Sequence, residues 1–377
     1  MRAMHEGRLP TSDRDVVRHI DRCLGCLACE TACPSGVPYG RLIEVAREQI
    51  AADGVRSAVT ETSRRALLAA LSNPNGLDLA MKMAQTVGAR GMPAPIARAI
   101  GGGSMAKYPF ALPMRSDRPL PPAVVPAIGK KRARVGVLLG CVMRVLYADT
   151  NEETVRVLAA NGVEVLTNRR QGCCGALHAH NGYSETALDM ARSLIDAFSP
   201  SDGLDAIVVN SAGCGSTMKH YGEMLAGDPR YAGRAKEFAA KVRDVSEFLD
   251  ELGWSAPLKP LGVSPVMATY HDACHLAHGQ GVRSAPRALL SNIPDLTLVD
   301  LVESEICCGS AGIYNLTEPE MAERLQRRKI ENIRATGATI VATGNPGCLA
   351  WIKAGIDRGE TPIRVAHPVS LLAEALA

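Results

Sequence analysis

Apolar positions recur along this chain in two rhythms. Over residues 41–100 they follow helical spacing: Leu42, Val45 and Ala46 share one face, and Leu67, Leu68 and Leu71 repeat it. Gly101, Gly102 and Gly103 interrupt that pattern. Pro109, Pro113, Pro119, Pro121, Pro122 and Pro126 then mark a linker, because proline removes the donors regular structure needs. From Lys130 onward short apolar runs alternate with helical stretches. Runs beginning at Val135, Val163 and Ala206 predict strands, with helices over 151–160 and 184–198 between them. The same plan returns with runs beginning at Met267, Leu296 and Thr339. Strands alternating with helices predict parallel layers. The expected fold is therefore α+β and α/β combined: a mostly helical N-terminal domain over 1–108, a Pro-rich linker over 109–129, and two repeated α/β halves over 130–255 and 262–377.

Cysteine placement turns this outline into chemistry. The 12 cysteines fall into three groups of four with none left over: Cys23, Cys26, Cys29 and Cys33; Cys141, Cys173, Cys174 and Cys214; and Cys274, Cys307, Cys308 and Cys348. The last two groups are copies offset by 133 or 134 residues. Each places its thiols after predicted strands and beside glycine, and the carboxyl edge of an open α/β sheet is where ligands collect. Neighbouring side chains on a regular strand point to opposite faces, so Cys173-Cys174 and Cys307-Cys308 serve one centre only if each pair sits in a turn. Gly175 and Gly309 permit that turn.

The first group reads C-x2-C-x2-C-x3-C-P, the bacterial ferredoxin spacing for a 4Fe–4S cluster. Zinc also uses C-x2-C pairs, but four thiols this close, with Pro34 after the last, favour iron–sulfur. In two-cluster ferredoxins the fourth cysteine of such a run ligates the other cluster. Cys33 then either closes the local cluster or belongs to one whose remaining thiols precede Met1. The second alternative is favoured, and it predicts another such run upstream.

Bulk properties narrow the class. A chain of 377 residues that is 46% hydrophobic builds sizeable cores. A net charge of +3 and 4% aromatics argue against nucleic acid as a partner. No apolar stretch approaches the roughly 20 residues of a transmembrane segment, and the first twenty residues contain no signal core. Thiols without an export signal imply a reducing, cytoplasmic setting, peripheral docking at a membrane through partners aside.

Four stretches carry a family likeness: 18–40 around the first run, 270–283 around Cys274, 306–316 around Cys307-Cys308, and 342–348 ending at Cys348. The spacing of the later quartets resembles the CCG repeat of heterodisulfide reductase subunits. With the ferredoxin run ahead of it, the chain resembles the iron–sulfur subunits of glycolate oxidases. That resemblance implies an N-terminal ferredoxin-type 4Fe–4S domain and clusters on all twelve cysteines. It implies no catalytic residue on this chain. FAD would sit on partner flavoprotein 2-hydroxy-acid dehydrogenase subunits that oxidise glycolate to glyoxylate, with a membrane quinone as final acceptor. The chain shows no G-x-G-x-x-G fingerprint of its own, in keeping with that division. It departs from the heterodisulfide reductase pattern at Thr217 and Trp351, where a fifth cysteine would stand. Electron transfer for lactate or glycerol 3-phosphate, a disulfide-cleaving CCG enzyme and a zinc scaffold remain as alternatives.

Several other residues bear on the site. His178, His180, His271, His275 and His278 flank the later cysteines, either as hydrogen-bond donors and proton relays or as polar loop residues. In the trio Tyr270-His271-Asp272 the carboxylate is placed to fix the imidazole tautomer. Arg169 and Arg170 precede Cys173 and either offset cluster charge or form a solvated turn. Arg324, Arg327, Arg328 and Lys329 read as an exposed basic helix face.

Overall fold

The computed structural model of the chain describes residues 1–86, 115–198, 202–359 and 361–377. Its first half builds a sheet from β1 (Val124–Val125), β2 (Ala133–Leu138), β3 (Val163–Leu166), β4 (Ala206–Val209) and β5 (Val242–Asp244), in the order β1-β3-β2-β4-β5. The second builds β6 (Val266–Tyr270), β7 (Leu296–Val299), β8 (Ile340–Ala342) and β9 (Arg364–Ala366), in the order β7-β6-β8-β9. All pairings are parallel except that of β1 with β3. Without β1 the two orders are the same, as the repeated cysteine spacing predicts. Pro121 and Pro122 occupy the stretch expected to be a linker, yet the residues after them extend and pair, with Val124 opposite Leu166. Proline stops at a sheet edge, and β1 is that edge. Pro109, Pro113 and Gly101 to Gly103 lie outside the described residues.

β4 is buried along its whole length, because helices cover both faces of its sheet. One apolar core unites the halves: Val135, Val157 and Val163 from the first pack in the same cluster as Ala268, Tyr270, Leu290 and Leu371 from the second. Each buried valine or leucine among them contributes about 1.5–3 kcal/mol relative to exposure. In each sheet the chain leaves its central strand to one side and returns on the other. β2/β4 and β6/β8 are thus the points where connections diverge and a crevice opens at the carboxyl edge.

The described N-terminal residues are helical at Arg14–Asp21, Tyr39–Ala52, Ala58–Ser72 and Pro74–Thr86. In helix Tyr39–Ala52 the inward face is Ile43, Ala46 and Ile50, packed with Met4 and Ile20. Leu42 and Val45, expected on that face, are each 41% exposed. The helix forms where periodicity placed it, with its inward face one position on, at i, i+3 and i+7 from Ile43, where Met4 and Ile20 receive it. Leu67 and Leu68 pack against Tyr183 of the first half and Ile313 and Leu316 of the second. The N-terminal helices therefore lie across the cysteine-bearing edges of both sheets. Among the described residues no helix is long and apolar enough to cross a membrane.

Candidate metal centre

Each quartet closes on itself. Cys141 follows β2, Cys173 and Cys174 occupy the turn after β3, and Cys214 lies in helix Ala212–Lys219 after β4. The Cys141 and Cys173 sulfurs are 3.5 Å apart, and Cys174 meets both Cys173 and Cys214. In the second repeat Cys274 opens helix Cys274–Ala277 and meets Cys307, while Cys308 and Cys348 stand 3.4 Å apart. The turns that let adjacent cysteines converge rest on left-handed glycines, Gly175 at φ +80° and Gly309 at φ +95°. Their N–H groups donate to Cys173 Sγ and Cys307 Sγ, each at 3.4 Å. Gly25, at φ +63°, repeats the device on Cys23 Sγ, also at 3.4 Å.

Crowding and burial oppose charge on these thiols. Contact with the Cys173 sulfur, then burial, holds the Cys141 thiol well above its ordinary range. Contacts with Cys173 and Cys214, then burial, do the same to Cys174, and contact with Cys307 and burial to Cys274. Cys173 is held well below, because the Cys141 and Cys174 thiols donate to it. Four thiolates can coexist in such a place only around a cation that takes the place of their protons. Soft sulfur donors select thiophilic metals, either zinc or iron with sulfide. A cavity of about 240 Å³ opens beside the sulfurs, with Cys23 and all eight cysteines of the two quartets on its walls. One tetrahedral ion needs no such space, so the donor set and the cavity together fit inorganic clusters.

The ferredoxin-type run divides. Burial pushes up the Cys26 thiol, with added repulsion from Cys274 and Cys23; burial likewise raises Cys29, with Cys26 and Cys23 adding. Cys23, Cys26 and Cys29 thus share one neighbourhood, next to the second quartet. The sulfur of Cys33 meets the backbone N–H groups of Val37, Ser35 and Gly36, which lower its pKa.

Four of the histidines join the N-terminal segment to the repeats. His178 Nε2 meets Ser72 Oγ at 3.1 Å, and His180 Nδ1 meets Glu44 at 2.7 Å. His275 Nε2 lies 3.0 Å from the Gly25 carbonyl, and His278 Nδ1 lies 2.9 Å from Thr31 Oγ1. In the trio, Asp272 does not orient His271: it pairs with Arg287 at 2.6 Å, and His271 Nδ1 instead meets the Ser304 carbonyl at 2.9 Å. Burial pushes the His271 pKa down to about 3.

Positive charge comes from residues the sequence did not single out. Arg47 is buried and lines the cavity, donating to the carbonyls of His180, Ile20 and Cys23. Buried Arg64, also on the cavity wall, donates to Asn181 at 3.0 Å. Arg169 and Arg170 are exposed, as a solvated turn requires. Arg324, Arg327 and Arg328 are exposed as expected, but Lys329 is 2% exposed, donates to the Glu303 and Ser304 carbonyls, and feels Cys308 and Cys348. Helical rotation carries it off the basic face and beneath the second quartet. Thr217 and Trp351 are both buried, Thr217 at 3.5 Å from His180.

The cysteine-rich CCG domain matches twice, over residues 135–219 and 268–353. The probable glycolate oxidase iron–sulfur subunit of Bacillus subtilis (strain 168) is 34% identical, with 100% of this chain and 86% of that protein covered. The glycolate oxidase iron–sulfur subunit of Escherichia coli (strain K12) is 32% identical, with 95% and 82% covered. Lactate utilization protein A of Shouchella clausii (strain KSM-K16) is 30% identical over 63% of this chain and 98% of its own length.

Proposed function

The chain belongs to the family of glycolate oxidase iron–sulfur subunits, and from that premise we propose that it conducts electrons from a flavoprotein partner oxidising glycolate to glyoxylate towards a membrane quinone. It is an iron–sulfur electron-transfer subunit of a hydroxy-acid oxidase complex. The observation that carries the finer reading is a single cavity lined by both quartets and by Cys23 of the first run.

In this reading Cys23, Cys26 and Cys29 belong to a ferredoxin-type domain over 1–108, and Cys33 is the outlying ligand of its run. Cys141, Cys173, Cys174 and Cys214 hold a cluster in the repeat over 130–255. Cys274, Cys307, Cys308 and Cys348 hold another in the repeat over 262–377, with 109–129 joining the parts. Bound iron–sulfur clusters, of 4Fe–4S type at the N-terminal run, supply one-electron chemistry. The chain's own residues set the conditions for it. The Gly25, Gly175 and Gly309 N–H groups donate to sulfur and stabilise added negative charge. Arg47, Arg64 and Lys329 bring buried positive charge, and Leu67 and Leu71 line the cavity on the helix side and keep water out. FAD belongs to the partner. The complex is cytoplasmic and meets the membrane peripherally.

The test mixes anaerobically isolated chain with its co-purifying flavoprotein and offers glycolate, lactate or glycerol 3-phosphate while following visible cluster absorbance. Bleaching by glycolate with flavoprotein, and none without it, is the expected result. Bleaching by lactate alone would assign the chain to lactate oxidation, and failure to bleach with any acid would reject the electron-transfer reading.

A further inference from the structure

The two quartets match in sulfur positions but not in what stands behind them. His271 is one residue past β6, and its backbone N–H continues the ladder to β8 by donating to the Ala342 carbonyl at 2.9 Å. That anchors it where the connections of the second sheet diverge. Its side chain is 0% exposed, and a ring nitrogen lies within 4.8 Å of the Cys308 and Cys348 sulfurs. Nδ1 stands 2.9 Å from the Ser304 carbonyl, which can only accept, so Nδ1 carries the proton. Nε2 is then a bare lone pair, and it is buried without a hydrogen-bond partner. An unpaired acceptor in the interior is costly, and a metal ion would offset that cost. At the corresponding place in the first repeat, 133 residues earlier, stands Leu138, packed in an apolar cluster with Cys174.

We propose that His271 Nε2 is a ligand to iron in the second repeat, making that site mixed imidazole–thiolate while the first is thiolate only. This rests on the reading that both quartets hold iron–sulfur clusters. Binding releases no proton, since Nε2 carries none. The Ser304 carbonyl that fixes the tautomer serves as the outer partner metal-bound histidines use. A neutral imidazole adds no negative charge, but it changes the donor set of one iron, and ligand identity is one of the levers that set cluster potential. The two sites therefore differ in potential, which gives electrons a direction between two otherwise equivalent repeats.

The test is pulsed paramagnetic resonance on anaerobically isolated full-length chain labelled with nitrogen-15 histidine, together with iron and sulfide analysis of the same sample. A strong coupling to a histidine nitrogen is expected, lost in His271→Ala and kept in His275→Ala. Redox titration should find one midpoint shifted in His271→Ala. A cluster signal in the labelled wild type without strong histidine coupling, or coupling that survives His271→Ala, would overturn the ligand while leaving the clusters standing. Absence of iron and sulfide would instead remove the underlying reading. The wild-type measurement decides even if His271→Ala fails to fold.

Discussion

Two adjacent cysteines can face one centre only where the backbone bends sharply, and the residue after each pair does the bending. A Cβ on Gly309 would stand 2.6 Å from the Ala322 carbonyl oxygen, and the left-handed backbone there adds about 1–2 kcal/mol for any other residue. Gly309→Ala should lower the melting temperature and the iron content of the second repeat together, read by calorimetry and metal analysis. Lys329 illustrates what a residue's neighbours in sequence conceal. It follows Arg327 and Arg328, both exposed, and only docking of its helix on the 303–304 loop shows that its ammonium lies under Cys308 and Cys348. Positive charge favours the reduced state, so Lys329→Met should lower one midpoint potential by roughly 60 mV or more, a tenfold change for one electron. An unchanged titration would remove Lys329 from the electrostatics of the site.

At the scale of elements, strands and their cysteine-bearing ends could be read directly, because apolar runs such as 135–139 stop at glycine and thiol. Helix faces were less readable: Leu42 and Val45 are as apolar as Ile43 and Ile50, and only the partner surface of Met4 and Ile20 decides which turn inward. Charge at one helix start gives a prediction of its own. Asp244 caps helix Val245–Leu252, accepting from the Ser246 N–H at 2.8 Å, while burial raises its pKa to about 7. A carboxyl whose folded pKa exceeds its unfolded value stabilises most below about pH 4, and that contribution is lost as pH rises through about 7. Melting temperatures of the wild type should therefore fall between pH 5 and 8 relative to Asp244→Asn. Parallel profiles for the two proteins would contradict the assignment. The histidine contacts make a second prediction for elements. His180→Gln removes the imidazole contact with Glu44 across the two parts of the chain, and hydrogen exchange should quicken in helix Tyr39–Ala52 while β2 and β4 stay protected.

Across the whole molecule, the repeat was plain from the offset of its cysteines, but the way the copies meet was not. The starts of the helices that carry Cys214 and Cys348 touch: the Ala212 N–H donates to the Gly344 carbonyl at 3.0 Å, and the Gly213 N–H to Asn345 Oδ1 at 3.2 Å. The Tyr314 hydroxyl reaches back to the Arg22 carbonyl at 3.1 Å, fixing the first cysteine run against the second repeat. Such contacts join residues more than 130 positions apart, and no local pattern announces them. They bring both quartets, and Cys23 of the first run, around one space, and that gathering is the basis for conduction. Iron and acid-labile sulfide per chain, measured on anaerobically isolated protein, test it most directly. Comparable iron and sulfide are expected, falling by separate portions in Cys174→Ser and Cys308→Ser. Zinc in the quartets with no sulfide would contradict the account.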